Sequence, residues 1–425
     1  MNILLINHYA GSLRHGMEYR PYYLAREWRR LGHAVTLVAG SYSHVRAVQP
    51  RVDGAMARER LDDLDFWWLR TPRYAGNGVG RAINIAVFLA QVAVRAGALV
   101  REVRPDLVIA SSTYPMDIWV ARRIARMAGA RLVHEVHDLW PLSPIELGGM
   151  SPSHPFIRIC SRAEADACRD ADAVVSMLPK VHDHLASRGL DRAKLHIVPN
   201  GIAPEEWASH APLAPGPLAD HLARLRAEGR MIVGYAGSHG VPNALDVLLD
   251  AARLMTAEPV DFVLVGGGLE RDRLAARVRD ERLAHVALFP PVSKAQIPSL
   301  LQAFDICYIG WARQPLYRFG IAPNKLLDYM MAGRPVLHGV EAGNDPVAEA
   351  GCGLTVTPES PEAVADGLRR LMVRSPAERE AMGERGRRFV LAHHSYPVLA
   401  RRFLEAVAPG AGVGSALSTV GEAKR

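Results

Sequence analysis

The chain is 425 residues long, 49% hydrophobic and 22% charged, with a formal net charge of +7 and a pI near 9.4. That length exceeds one hydrophobic core and predicts two domains, and the balance is that of a soluble globular protein rather than a disordered or fibrous one. The positive excess suits phosphates or an anionic membrane surface, whereas nucleic acid is excluded as a partner: basic residues are scattered along helices, and no zinc-finger, RNP or basic-zipper pattern occurs.

The opening MNILLINHYAG runs straight into an apolar strand over 3–6 with no basic leader or small-residue cleavage site, so no signal peptide is expected. Strands follow over 35–39, 66–69, 107–110, 132–136, 173–176 and 196–198, several as unbroken Val/Ile/Leu runs. Helices are predicted over 18–31, 81–103, 116–128, 156–168 and 181–188. This βαβ series predicts a parallel sheet with helices on both faces. PNGIAPEEW and PLAPGPLAD (199–207 and 212–220) interrupt it as a connection. A second series places strands over 231–235, 262–265, 286–289, 306–309, 335–337 and 354–356, then helices over 378–393 and 396–406. The Gly/Ala/Ser-rich tail 409–425 predicts disorder. Cys160, Cys168, Cys307 and Cys352 form no C-x-x-C pair and read as reduced residues of a cytoplasmic protein. No apolar run is long enough to cross a membrane.

Candidate chemistry sits where predicted strands end, the ligand-binding edge of open α/β sheets. After the first strand, HYAGSLRHGMEYRP places Gly11 and Gly16 with Arg14, His15, Glu18 and Arg20. It is neither G-x-G-x-x-G nor a Walker A loop, since Met17 stands where lysine is required. Arg14, Glu18 and Arg20 are assigned to an acceptor side. The segment 65–81, DFWWLRTPRYAGNGVGR, mixes Trp and Tyr with Arg ahead of an apolar helix. That mixture fits an interfacial membrane site, or a buried helix with snorkelling arginines. In HEVHD (134–138) the histidines are three apart on a strand, not four apart on a helix, so no zinc site is read; His137 shares a face with Glu135 and points off the strand end. In GYAGSHG, Gly237, Ser238 and His239 offer backbone N–H groups for a diphosphate, and Asn243 is a candidate helix cap. Gly267 lies in a further glycine loop, VGGGLERDRL. FGIAPNKLLDYMMAGRPVL (319–337) is the most informative stretch. Pro323 and Asn324 open a short helix whose first turn carries Lys325 and Asp328, three apart. Bare amides and a lysine suit a diphosphate, and the carboxylate suits a ribose.

Four motifs, GMEYRPYYLAREWRRLGHAVTLVAG, HDLWPLSP, GYAGSHG and PNKLLDYMMAGRPVL, resemble in order and spacing the family-4 retaining glycosyltransferases of the GT-B fold. The chain looks closest to the bacterial polysaccharide branch that includes fucosamine transferases. The resemblance covers about residues 1–400 and implies two Rossmann-like, doubly wound parallel-sheet domains facing a cleft. These are an acceptor-side domain at 1–205, a nucleotide-sugar domain at 206–385, and a helix at 386–408 crossing back to the first. It implies transfer of a sugar from a nucleoside-diphosphate donor, read as UDP-linked, to a glycan or polyprenyl-linked acceptor in cell-surface polysaccharide synthesis. Retention is implied, with no metal and no cofactor beyond the donor, at the inner face of the plasma membrane. Carried onto this chain, His137 stands at the family's histidine near the sugar hydroxyls. Gly16 lies beside the diphosphate, Asp328 at the second acid of E-x7-E, and Val292 where the backbone contacts the base. With Lys325, His137 and Asp328 form the catalytic set. The chain departs at Gly320, where the first Glu of E-x7-E is expected, and lacks the Arg and Lys usual after the GYAG-like strand. Lys325 is read as supplying that lost charge. Two rivals remain: a GT-B nucleotide-sugar epimerase, and a non-catalytic partner that kept the fold.

Overall fold

Unbroken Val/Ile/Leu runs need apolar cover on both faces, and helices supply it. The computed structural model describes residues 1–16 and 18–408 and divides the chain into two units: Met1–Pro199 with the chain from Tyr396 onward, and Asn200–Ser395. The predicted tail 409–425 lies outside the described residues.

The first unit holds an eight-stranded sheet: β1 (Asn2–Ile6), β2 (Ala34–Gly40), β3 (Met56–Leu61), β4 (Leu64–Leu69), β5 (Leu107–Ala110), β6 (Arg131–Val136), β7 (Ala173–Ser176) and β8 (Leu195–Ile197). Their order is β3-β4-β2-β1-β5-β6-β7-β8. All pair in parallel except β3, which runs antiparallel to β4. Sequence reasoning missed β3 because MARERL is rich in charge. An edge strand tolerates that, and its exposed arginines guard the edge. Around the sheet pack α1 (Arg20–Arg30), α2 (Val79–Val94), α3 (Ala96–Val103), α4 (Asp117–Ala128), α5 (Leu142–Glu146) and α6 (Pro155–Asp170). The single helix expected over 81–103 is two, α2 and α3, bent by 56° at Arg95.

The second unit holds six parallel strands: β9 (Met231–Ala236), β10 (Val260–Val265), β11 (Val286–Phe289), β12 (Ile306–Gly310), β13 (Val336–Gly339) and β14 (Gly353–Val356). Their order is β11-β10-β9-β12-β13-β14. Apolar clusters lie on both faces of this sheet, around Phe304 and Met330 on one and Leu248 and Phe262 on the other. The helix Pro376–His393 packs with Asn324–Met331 in this unit, so the chain leaves it at Ser395, ten residues beyond the boundary at 385 read from sequence. Only Tyr396–Val407 joins the first unit, on α1. There Trp28 Nε1 donates to the Ala400 carbonyl at 3.1 Å and Tyr23 stacks on Tyr396 at 4.7 Å.

Each sheet reverses its winding once, between β1 and β5 and between β9 and β12. Crevices at the carboxyl ends of such strands are where doubly wound sheets take ligands.

Candidate functional site

Beside the first reversal, β5 and β6 deliver Ser111, Glu135 and His137 to one point. Alternation along β6 sends His134 to the opposite face from Glu135 and His137. Glu135 is fully buried and accepts from Arg20 Nε and Nη2 at 3.0 and 2.9 Å and from Ser111 Oγ at 2.6 Å. His137 Nε2 lies 3.1 Å from the Glu135 carboxylate and 2.9 Å from Ser111 Oγ, which fixes the ring and leaves Nδ1 outside these bonds. Burial would raise the Glu135 pKa, but the Arg20 charge, His137 and Ser111 outweigh it and hold the carboxyl well below the usual range. Arg20 also donates to the Val198 and Pro199 carbonyls. It therefore serves Glu135 and the backbone, which is a positioning role rather than the acceptor-side role read from sequence. A buried carboxylate needs such a partner, and 115 residues separate the two in sequence. Arg14 lies outward, paired with Glu59 at 2.8 Å. Glu18 accepts from Gly11 N through its carbonyl at 3.2 Å, and Gly16 adopts φ +84° against Ala47. On the far face of β6, burial pushes the His134 pKa down to about 4.

In the same unit, a cavity of about 590 Å³ opens between the start of α2, the loop after β6 and the segment from α5 to α6. Arg81, Ile85, Trp140, Leu147 and Phe156 line it. Arg81 lies over the Tyr9 and Trp140 rings and donates to Tyr9 Oη and Asn77 Oδ1. From sequence, Arg81 belongs to a segment fitting an interfacial membrane site or a buried helix with snorkelling arginines; that it and Trp140 surround a cavity is a tertiary fact.

At the second reversal Lys325 is the central group. Its helix, Asn324–Met331, begins at Pro323 with no side-chain cap, so its first N–H groups stay open. Tyr329 ties the helix to β9: its hydroxyl donates to the Ala236 carbonyl at 2.9 Å and accepts from Ala236 N at 2.7 Å. Lys325 Nζ donates to Tyr235 Oη at 2.9 Å and Asn243 Oδ1 at 2.7 Å, and lies 4.7 and 5.6 Å from the Tyr235 and Trp311 ring centres. All these partners are neutral, and among the described residues Lys325 forms no ion pair. Burial lowers its pKa to about 8, so the ammonium persists at neutral pH. Gly237 has φ +157°, a conformation that favours glycine, and its missing side chain lets the loop lie on Lys325, whose Cε would be 2.7 Å from a Cβ there.

The rest of the GYAGSHG loop folds around this cation. Asn243 does not cap a helix as expected; its amide bridges Lys325 and the Ser238 carbonyl, which also accepts from Tyr235 Oη at 2.6 Å. His239 is fully buried. Its backbone N donates to the Gly267 carbonyl at 2.8 Å, while neither ring nitrogen has a hydrogen-bond partner among the described residues. Burial, then Arg271 and Lys325, push its pKa down to about 4, so the ring is neutral with an unsatisfied donor.

Asp328 does not meet Lys325. One turn on, it turns to Trp207, with Lys294 and Glu206 nearby, and burial raises its pKa to about 7. Lys294 itself pairs with Glu206 at 2.7 Å, and Val292 is half-buried in the preceding loop. Lys325 and Asp328 thus mark two subsites, one anchored to β9 and one to the 206–207 and 292–294 segments. Gly320, at the position of the missing acid, has φ +97° and ψ 175°, a region essentially restricted to glycine. Among the described residues no three His, Cys, Asp or Glu side chains gather at metal-binding spacing.

Comparison with known proteins matches a glycosyl transferase 4-like domain to residues 15–201 and a glycosyl transferases group 1 domain to residues 230–374. One relative is the putative colanic acid biosynthesis glycosyl transferase WcaI of Escherichia coli, 23% identical over 258 residues, which are 59% of this chain. The match spans 62% of that relative's length. Among solved structures, sucrose-phosphate synthase from Thermosynechococcus elongatus superposes with a TM-score of 0.69 at 18% identity, covering 94% of this chain and 96% of that one. Anabaena HepE in complex with UDP gives 0.63 at 16%, covering 95% and 99%. WaaG, a glycosyltransferase involved in lipopolysaccharide biosynthesis, gives 0.63 at 16%, covering 96% and 100%. These likenesses establish the GT-B fold.

Proposed function

We propose that this chain, a GT-B protein built from two glycosyl transferase domains, transfers a sugar from a UDP-linked donor to a lipid-linked glycan with retention at the anomeric carbon. The carrying observation is Lys325: a largely buried ammonium held, among the described residues, by neutral groups, at the open end of a helix and against a glycine loop at the sheet reversal. Such a cation, with the amides of Ser238, Gly240, Asn324 and Lys325, is preorganised for the charge that develops on a departing diphosphate, whereas the Gly237 and His239 amides are taken by the Val265 and Gly267 carbonyls. The neutral His239 ring adds a donor that lacks a partner among the described residues. Asp328 accepts from the ribose hydroxyls, and the backbone around Val292 meets the base. In the first unit, His137, oriented through Nε2 by Glu135 and Ser111, offers Nδ1 to a sugar hydroxyl. The Trp140 cavity takes the acceptor. No metal is invoked, because the cation and amides supply the charge stabilisation.

Similar proteins support this reading. HepE has been solved with UDP and with UDP-glucose. WaaG and WcaI are placed in lipopolysaccharide and colanic acid biosynthesis. We place the enzyme at the inner face of the plasma membrane, where lipid-linked glycans are extended. Calorimetric titration with UDP tests the donor assignment, and absence of binding overturns it. Retention is tested separately by NMR of the newly formed linkage with an α-linked donor; a β product overturns it.

A further inference from the structure

Helix α2 has two apolar faces. One packs into the unit through Ile85, Phe88 and Val92. The other faces solvent. Val79 is 77% exposed, Ile83 52% and Val94 82%, with Ala86 and Ala90 exposed between them. These positions recur every three or four residues and make one stripe along the helix. A solvent-facing helix surface normally carries charge. This one carries none between Arg81 and Arg95.

The charges lie at the ends instead. From Arg70 to Arg101 the chain has arginines at 70, 73, 81, 95 and 101 and no acidic residue. None of these five meets a carboxylate among the described residues; the nearby Glu102 pairs with Arg58. An apolar stripe bracketed by uncompensated guanidinium groups matches the interfacial zone of an anionic bilayer, with acyl chains for the stripe and phosphates for the arginines. A second copy of the chain fits poorly, since a symmetric pairing would bring the same five cations together with no acid from this segment. Crossing the membrane is also excluded for α2. Its 16 residues span about 24 Å against a hydrocarbon core of about 30 Å, and it bends by 56° into α3. The helix lies on the surface.

We propose that the exposed face of α2, with its flanking arginines, docks the enzyme on the anionic inner leaflet. The stripe begins at Val79, and Val79, Ala82 and Ile85 also line the 590 Å³ cavity, so docking sets the cavity mouth at the lipid surface. An acceptor then enters from the leaflet with its phosphate at Arg81 and its apolar chain against Leu147 and Trp140. The inference deepens the acceptor reading above and rests on it for the cavity's occupant, but it is independent of the donor site.

The full chain is sedimented with vesicles of phosphatidylcholine alone and of phosphatidylcholine mixed with phosphatidylglycerol. The expected result is binding to the mixed vesicles only, weakened by salt. Ile83→Glu with Val94→Glu abolishes it, and Arg73→Glu with Arg101→Glu lowers affinity by about 25-fold or more, at roughly five-fold per arginine. All substituted positions are exposed, and UDP titration of both variants gives the wild-type isotherm. Equal binding to both vesicle types, no binding, or unchanged binding by the apolar double variant overturns the proposal. So does sedimentation velocity showing a wild-type dimer that Ile83→Glu with Val94→Glu dissolves while vesicle binding persists. Vesicle binding by a protein that takes no UDP supports docking and removes the donor reading alone.

Discussion

His137 and Lys325 occupy corresponding places, each beside the reversal of a doubly wound sheet, and their surroundings are opposite in kind. His137 sits in a closed network in which Arg20 neutralises Glu135 and Glu135 with Ser111 fixes the imidazole. Every charge there has a partner. Lys325 is held as firmly, but by a phenol, an amide and two ring faces. Among the described residues its charge has no counterion. Burial of an ammonium away from carboxylates disfavours its charged form and lowers its pKa, and an incoming anion would relieve that cost. The first network therefore stabilises and orients, while the second leaves a cation facing the proposed donor site.

The contrast breaks most severely at Glu135. Replacing it by Ala strands the buried Arg20 guanidinium and should cost about 3–5 kcal/mol of stability, read from urea unfolding. That contribution is present at neutral pH and is lost as pH falls through the depressed folded pKa of Glu135. A loss below 1 kcal/mol would mean that the network is not structural. Lys325→Ala should do the reverse: turnover falls roughly 100- to 1000-fold while the unfolding midpoint is preserved. Equal damage to folding would erase the distinction. A smaller, more diagnostic effect is in pH. Because burial lowers the Lys325 pKa to about 8, the charge is present below that value and lost above it. UDP affinity should fall by about ten-fold per pH unit above 8, and Lys325→Arg should flatten the decline. The mildest change is Asn243→Ala, which removes one of two neutral anchors. It should weaken UDP binding by about 0.5–1 kcal/mol and leave stability nearly unchanged.

Much of this was legible in the chain. Unbroken apolar runs identified nearly every strand, because strands covered on both faces must be apolar throughout. The edge strand β3 escaped because it is only half-buried and carries Arg58, Glu59 and Arg60. Lys325 was recognisable from its place at a helix start. Its anchors were not: Tyr235 and Asn243 lie 90 and 82 residues away, and such pairing has no local signature. The same applies to Arg20 and Glu135. Asp328 was expected beside Lys325 from three-residue spacing. Spacing sets the angular position on a helix but not what packs against each side, and Trp207 with Lys294 draws the carboxyl elsewhere.

The turn at Gly320 limits what substitution can do to this enzyme. Its φ of +97° with ψ 175° belongs to backbone that side-chain-bearing residues avoid at a cost of about 1–3 kcal/mol. Installing the acid that related enzymes are expected to carry there would therefore strain the loop rather than add a sugar contact. A glutamate at this position would sit without strain only if the backbone between Pro315 and Pro323 took another path.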